Sequence, residues 1–294
     1  MGIFVKFWGT RGSIPTPGPR TRRYGGNTSC VEIRFGETLL ICDGGSGLRE
    51  LGIDLQRRGG GPVEAHLFFS HMHWDHIQGF PFFPPVYDPR STIHIYDASG
   101  DSRGFEGLLG NQMQAAYFPV EFRDLGATLV NHAVTGDFEV DGIAVTIFEQ
   151  THPGASWAYG FEKDGVRIVY ATDHELDKDL EDTELPSREP NALRPVRPAF
   201  LEFARGADLL IMDSQYTDEE YPFKVGWGHP RASTAVDAAL GAGVKRLALY
   251  HHDPMHTDSE VENIVEDCRA RAARGSEELE VFAAREGVEL RLAR

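Results

Sequence analysis

Within residues 70–79, SHMHWDHIQG, four side chains able to donate to a metal, His71, His73, Asp75 and His76, fall in six positions. Alternate side chains of an extended chain share a side, so His71 and His73 point the same way, and Asp75 and His76 follow as the chain turns. A His-rich surface loop is the plain alternative. Three more residues of ligand type weigh against it: His152 in EQTHPG, Asp173 in YATDHE and His251 in LYHHDP. Each follows a run that reads as a strand, and open α/β sheets build their sites at the carboxyl ends of strands. Imidazole and carboxylate donors without cysteine suit zinc, with manganese or iron as alternatives. His66, His94 and His132 lie in or beside strand patterns without ligand-type company and are read as structural.

The elements that must position these residues are short β-branched and aromatic runs ending in Gly, Asp or His. Expected strands are Ile3–Phe7, Ser29–Phe35, Thr38–Cys42, Glu64–Phe69, Thr92–Tyr96, Ile143–Phe148, Val166–Tyr170, Leu209–Met212, Leu247–Tyr250 and Val288–Leu292. Helices are expected over Pro230–Leu240, over Asp258–Ala273 with Asp258 or Ser259 as its cap, and over Ser276–Arg285. The interleaving predicts an α/β architecture. Leu180–Pro198 is polar and proline-rich, which suggests a loop or lid over about 175–200 inside a single domain spanning 1–294.

With 29 Lys+Arg against 45 Asp+Glu the net charge is −16, which argues against a broad basic surface for nucleic acid. Cys30, Cys42 and Cys268 are odd in number and far apart, so no disulfide framework and a cytoplasmic location are expected. No apolar run approaches membrane-spanning length.

HMHWDH, followed by His152, Asp173 and His251, resembles the metallo-β-lactamase superfamily, and CDGGSG at 42–47 resembles its first motif. The resemblance covers nearly the whole chain. It implies a four-layer αβ/βα sandwich, with two central mixed sheets, helices outside and two similar halves. It implies that His71, His73 and His152 hold one metal, that Asp75, His76 and His251 hold a second, and that Asp173 bridges. Asp43 would order the ligand loops. KRLALYHHDP resembles the ending of tRNA 3′-processing endonucleases, which puts His251 on the metal and His252 outside the ligand set. Histidine at position 73 favours hydrolysis, since oxygen-reducing diiron relatives tend to carry Glu there.

GWGHPRASTAVDAALGAGVKRLALYHHDP at 226–254 is similar to the GHST…AGVKRL segment of the phosphodiesterase branch, which includes tRNase Z and cyclic-phosphate phosphodiesterases. By that resemblance His229 donates a proton to the leaving oxygen and Asp213 orients it, although Asp replaces Glu and Pro replaces Ser or Thr after the His. Asp75 would orient or deprotonate the attacking hydroxide. GTRGSIPTPGPRTRR carries Arg11, Arg20, Arg22 and Arg23, whose guanidinium forks suit a phosphate. Phe82, Phe83 and Tyr117, with Tyr87 and Phe118 as further options, could wall a base.

Bacterial tRNase Z carries a long arm between the counterparts of His152 and Asp173. Here residues 153–172 leave no room for one. The expected function is therefore a dinuclear phosphodiesterase acting on a small phosphodiester, a cyclic nucleotide or cyclic phosphate first. A tRNase Z-like endonuclease and an acyl hydrolase are the alternatives. Expected partners are that small substrate and, as an option, a second copy of the chain in a homodimer, with no extended nucleic-acid binding and no membrane.

Overall fold

Strand β1 (Ile3–Gly9) buries Ile3, Val5, Phe7 and Gly9 and leaves the residues between them half-buried, the period-2 pattern of a strand with one face on a core. It belongs to the first of two compact units, formed by Met1–Pro17, Gly25–Gly136 and Arg285–Ala293; the second comprises Gly18–Tyr24 and Asp137–Ala284. The computed structural model describes residues 2–97, 104–276 and 278–292.

In the first unit β2 (Cys30–Phe35), β3 (Thr38–Cys42), β4 (Glu64–Phe69), β5 (Thr92–Asp97), β6 (Thr128–Ala133) and β14 (Glu289–Arg291) join β1 in the order β14-β1-β2-β3-β4-β5-β6. Pairing is antiparallel from β14 to β3 and parallel from β3 to β6. Helix α1 (Gly47–Gly59) makes the crossover from β3 to β4 that parallel pairing demands. Its Leu48 and Leu51 pack with Leu67, Phe69, Ile93 and Ile95 in this unit's core. Helices α2 (Trp74–Ile77) and α3 (Gly104–Gln112) follow β4 and β5.

The second unit repeats the plan. Strands β7 (Phe138–Val140), β8 (Ile143–Gln150), β9 (Ser156–Lys163) and β10 (Val166–Ala171) form an antiparallel meander. Its turns Asp141-Gly142 and Asp164-Gly165 have positive φ at both residues, the Asp-Gly hairpin preference. Strands β11 (Leu209–Asp213), β12 (Arg246–Tyr250) and β13 (Glu280–Ala283) continue from β10 in parallel. Helices α4 (Leu185–Arg188), α5 (Pro198–Ala204), α6 (Ala232–Gly241) and α7 (Asp258–Gly275) connect them. Both sheets are mixed and flanked by helices, so the α/β class with two similar halves holds.

Three local expectations need correction. The helix expected over Ser276–Arg285 is instead β13, which pairs Val281 with Leu247 of β12; residue 277 lies outside the described residues. Tertiary pairing overrides helical composition there. Helix α6 starts at Ala232 and not at Pro230, because Pro230 O and Ala232 N bond Tyr216 and hold this segment extended. Helix α7 is capped by Thr257 in a capping box with Glu260, while Asp258 accepts from Arg23 N and Tyr24 N.

The proline-rich stretch proposed as a lid is packed within its own unit. Leu176, Leu180 and Val196 join the core, and buried Arg194 bonds Thr234 at 2.8 Å and Asp218 at 2.7 Å. Among the described residues no helix is long and apolar enough to cross a membrane.

Candidate metal ligands and acid–base pair

In the first unit the parallel neighbours β3 and β4 end side by side, Cys42 opposite Phe68, and release Asp43 and Ser70-His71 together. Asp43 is fully buried at φ +60°, an uncommon conformation for a non-glycine residue. Its carboxylate accepts Ser70 N at 2.7 Å, Ser70 Oγ at 2.8 Å and His76 Nδ1 at 2.8 Å. Because the Ser70 hydroxyl gives its proton to Asp43, its oxygen accepts from His71 Nδ1, 3.0 Å away. His71 and His76 therefore carry their protons on Nδ1 and keep the Nε2 lone pairs as donors. A fixed tautomer of this kind is characteristic of histidines prepared for a metal.

The His71 ring centroid lies 4.5 Å from that of His73 and 4.2 Å from that of His76, and His76 Nε2 is 3.2 Å from Asp75 Oδ2. Asp75 Oδ2 also accepts the Ser13 N–H at 2.7 Å, with Ser13 at φ +65°. Gly45 is required beside it, since a Cβ there would lie 2.3 Å from the Asp75 carbonyl oxygen.

In the second unit β10, β11 and β12 are parallel neighbours whose carboxyl ends carry Asp173, Asp213 and His251. Asp173 and His251 both have positive φ, 52° and 60°. With His229 these residues form a buried group whose ligand atoms lie within 4.8 Å of one another. His251 Nε2 is 3.3 Å from Asp173 Oδ1, and its Nδ1 is 2.9 Å from Gln215 Oε1. Gln215 cannot be turned over, because its Nε2 donates to Tyr216 Oη and Asp253, both at 3.2 Å. The proton of His251 is therefore on Nδ1 as well. His152 Nδ1 donates to Gly228 O at 3.0 Å, which leaves its Nε2 3.9 Å from Asp173 Oδ2. A carbonyl can only accept, so this tautomer is also fixed. His252 has a different fate: its Nε2 bonds Ala284 O at 2.9 Å.

His229 Nδ1 lies 2.8 Å from Asp213 Oδ2, a buried carboxylate–imidazole pair that leaves Nε2 for proton exchange. Tyr216 packs edge-on against the His229 ring at 5.9 Å. Burial and the charges of Asp213, Asp253, Glu175 and Glu220 push its phenol well up, so it stays protonated.

The chemistry of the donor set fits a divalent metal: His71, His76, His152 and His251 all present Nε2 lone pairs, and carboxylates stand beside them. Ser13, Ser70, Gln215 and Glu175 are absent from the sequence-derived set. For Ser70 and Gln215, adjacency to ligand motifs was the available signal.

The expected substrate contacts belong to both units. Arg11 is fully buried, with Nε donating to Gly25 O at 2.8 Å, so it holds its loop. Arg20, Arg22 and Arg23 are exposed in the second unit, where Arg23 pairs with Glu262 and Arg20 O accepts from Asp258 N. Phe83 is fully buried in the first unit's core, a packing role in place of the expected base contact. Phe82 and Tyr117 are exposed, at 54% and 78%.

Residues 41–252 match the model of the β-lactamase superfamily domain. Ribonuclease Z of Haloarcula marismortui is 25% identical, over 99% of this chain and 97% of its own length. The metallo-β-lactamase fold protein YhfI from Bacillus subtilis and the short form of human tRNase Z each superpose with a TM-score of 0.67 at 18% identity, covering 99% of this chain and all of theirs. The family model, the ligand motifs and the fold agree: the chain belongs to the metallo-β-lactamase superfamily.

Proposed function

We propose that the chain is a dinuclear phosphodiesterase that cleaves RNA in the manner its ribonuclease Z relatives are named for. The metals would be held by His71, His73, Asp75, His76, His152, Asp173 and His251. The observation that carries the hydrolysis of a phosphodiester is the buried Asp213–His229 pair beside Asp173 and His251. Bound divalent ions, zinc being the first choice, would lower the pKa of water and neutralise phosphate charge. Asp75, with one oxygen held by Ser13, orients the attacking water; His229 Nε2 protonates the leaving oxygen. The support for RNA is similarity along the whole chain to proteins of that name.

A second reading, a small or cyclic phosphodiester, has its own support. The chain between His152 and Asp173 is used up by β9, the Asp164-Gly165 turn and β10, with no arm, and the net charge is −16. The ribonuclease names weigh against it and, more weakly, against the expectation of no extended nucleic-acid contact. Zinc- or manganese-loaded protein incubated in parallel with a precursor tRNA and with 2′,3′- and 3′,5′-cyclic nucleotides separates the two readings. Cleavage at the tRNA 3′ end supports the first. Turnover of the cyclic nucleotides alone replaces it with the second, and inertness towards both defeats both.

A further inference from the structure

The segment Tyr221–Gly228, YPFKVGWG, runs directly into His229, and no metal or acid–base role absorbs it. It is pinned by Glu175, a fully buried carboxylate that accepts Tyr221 Oη at 3.0 Å, Gly226 N at 2.6 Å, Gly228 N at 3.0 Å and Lys178 Nζ at 2.9 Å. Burying a carboxylate is costly unless its donors are well placed, and three of these four hold the strap in one geometry. At its far end Gly228 sits at φ +93°, and a Cβ there would lie 2.1 Å from His152 Nδ1. The strap thus passes directly against a ligand histidine and delivers the acid.

Its outward side chains are out of keeping with a solvated loop. Phe223, Val225 and Trp227 are 83%, 58% and 59% exposed. They are three of the five exposed large apolar side chains described in the second unit. Clustered exposed apolar side chains on a rigid support mark a contact site. Lys224 Nζ lies 4.0 Å from the centroid of the Trp227 ring, covering one face and setting a positive charge beside it. Trp227 stands two residues from His229, no more than about 7 Å between Cα atoms. A base stacked on this ring would lie on the strap that carries the acid.

We infer that the Glu175-pinned strap is a nucleotide-recognition element: Trp227 stacks the nucleobase adjoining the scissile phosphate, and Lys224 offsets the anionic backbone in an acidic chain. The inference rests on the phosphodiesterase reading and adds a specificity-determining residue to it. Stacking is sequence-tolerant, so any base is accepted.

The test compares thymidine 5′-(p-nitrophenyl phosphate) with methyl p-nitrophenyl phosphate, which share a leaving group and differ in the nucleoside. Trp227→Ala should raise the ratio of the nucleotide KM to the methyl-ester KM by at least about fivefold, and Trp227→Phe should restore most of it. An unchanged ratio in Trp227→Ala overturns the strap's role. If the wild-type protein hydrolyses neither ester, the phosphodiesterase reading fails on its own. Calorimetric titration with AMP and with ribose 5-phosphate then decides the strap. A preference for AMP that Trp227→Ala abolishes supports it, and the absence of any preference overturns it.

Discussion

Replacing Asp43 with asparagine exchanges one carboxylate oxygen for an amide NH2 at a point where three donors converge: Ser70 N, Ser70 Oγ and His76 Nδ1. The amide oxygen can still accept Ser70 N, but the new NH2 then faces His76 Nδ1. The imidazole relieves the clash by moving its proton to Nε2, which blocks the lone pair offered to a metal. Loss of an outer hydrogen bond of this kind costs about 10–100-fold in metal affinity, or roughly 1.4–2.8 kcal/mol. Asp43→Ala is the blunter change, because it removes the acceptor that all three donors share, at about 1–3 kcal/mol for each one left unsatisfied. The assay is zinc titration in competition with a chromophoric chelator, with thermal unfolding of the metal-free protein run alongside. Asp43→Asn should weaken zinc binding within that range while the metal-free protein melts within a few degrees of wild type. Wild-type affinity in a folded Asp43→Asn protein would refute the claim that Asp43 sets the His76 tautomer.

His229→Ala should lower kcat on a dinucleotide, whose leaving ribose oxygen needs a proton, by about 10²–10⁴-fold with metal content unchanged by elemental analysis; normal turnover would remove His229 from proton transfer. Glu32 supplies the pH prediction. Burial would raise its carboxyl, but hydrogen bonds from Arg58, Arg34 and Trp8 outweigh that and hold it below its ordinary value. Its stabilising contribution is therefore full above about pH 4.5 and is lost as pH falls through the depressed native value. Glu32→Gln should cost about 2–3 kcal/mol in urea unfolding at pH 7 and flatten the acid limb below pH 4.5. An acid limb as steep as wild type would contradict it.

How much of this could be read from the sequence depended on whether the signal was local. Strands bounded by turn residues were legible nearly to the residue: Thr38–Cys42 and Glu64–Phe69 coincide with β3 and β4. Motifs sit at strand ends because parallel pairing aligns those ends, and the sequence shows both the runs and their last residues. What escaped notice was set by tertiary partners. The strand Glu280–Ala283 exists because β12 offers an edge. Helix α1 carries glycines and a charged face that hide its apolar contacts. Phe83, a candidate wall for a base in the sequence, is core. Ser13, Glu175 and Gln215 act through hydrogen bonds to residues distant in the chain, which leave no periodic trace.

If, as proposed, seven residues hold two metal ions that make the chain a phosphodiesterase, activity must follow metal loading. Stripped protein titrated with zinc, with bis(p-nitrophenyl) phosphate hydrolysis read after each addition, tests it most directly. No turnover is expected without metal, and activity should rise until two equivalents per chain are bound. Saturation at one equivalent, or no turnover at any loading with zinc, manganese or iron, would contradict it.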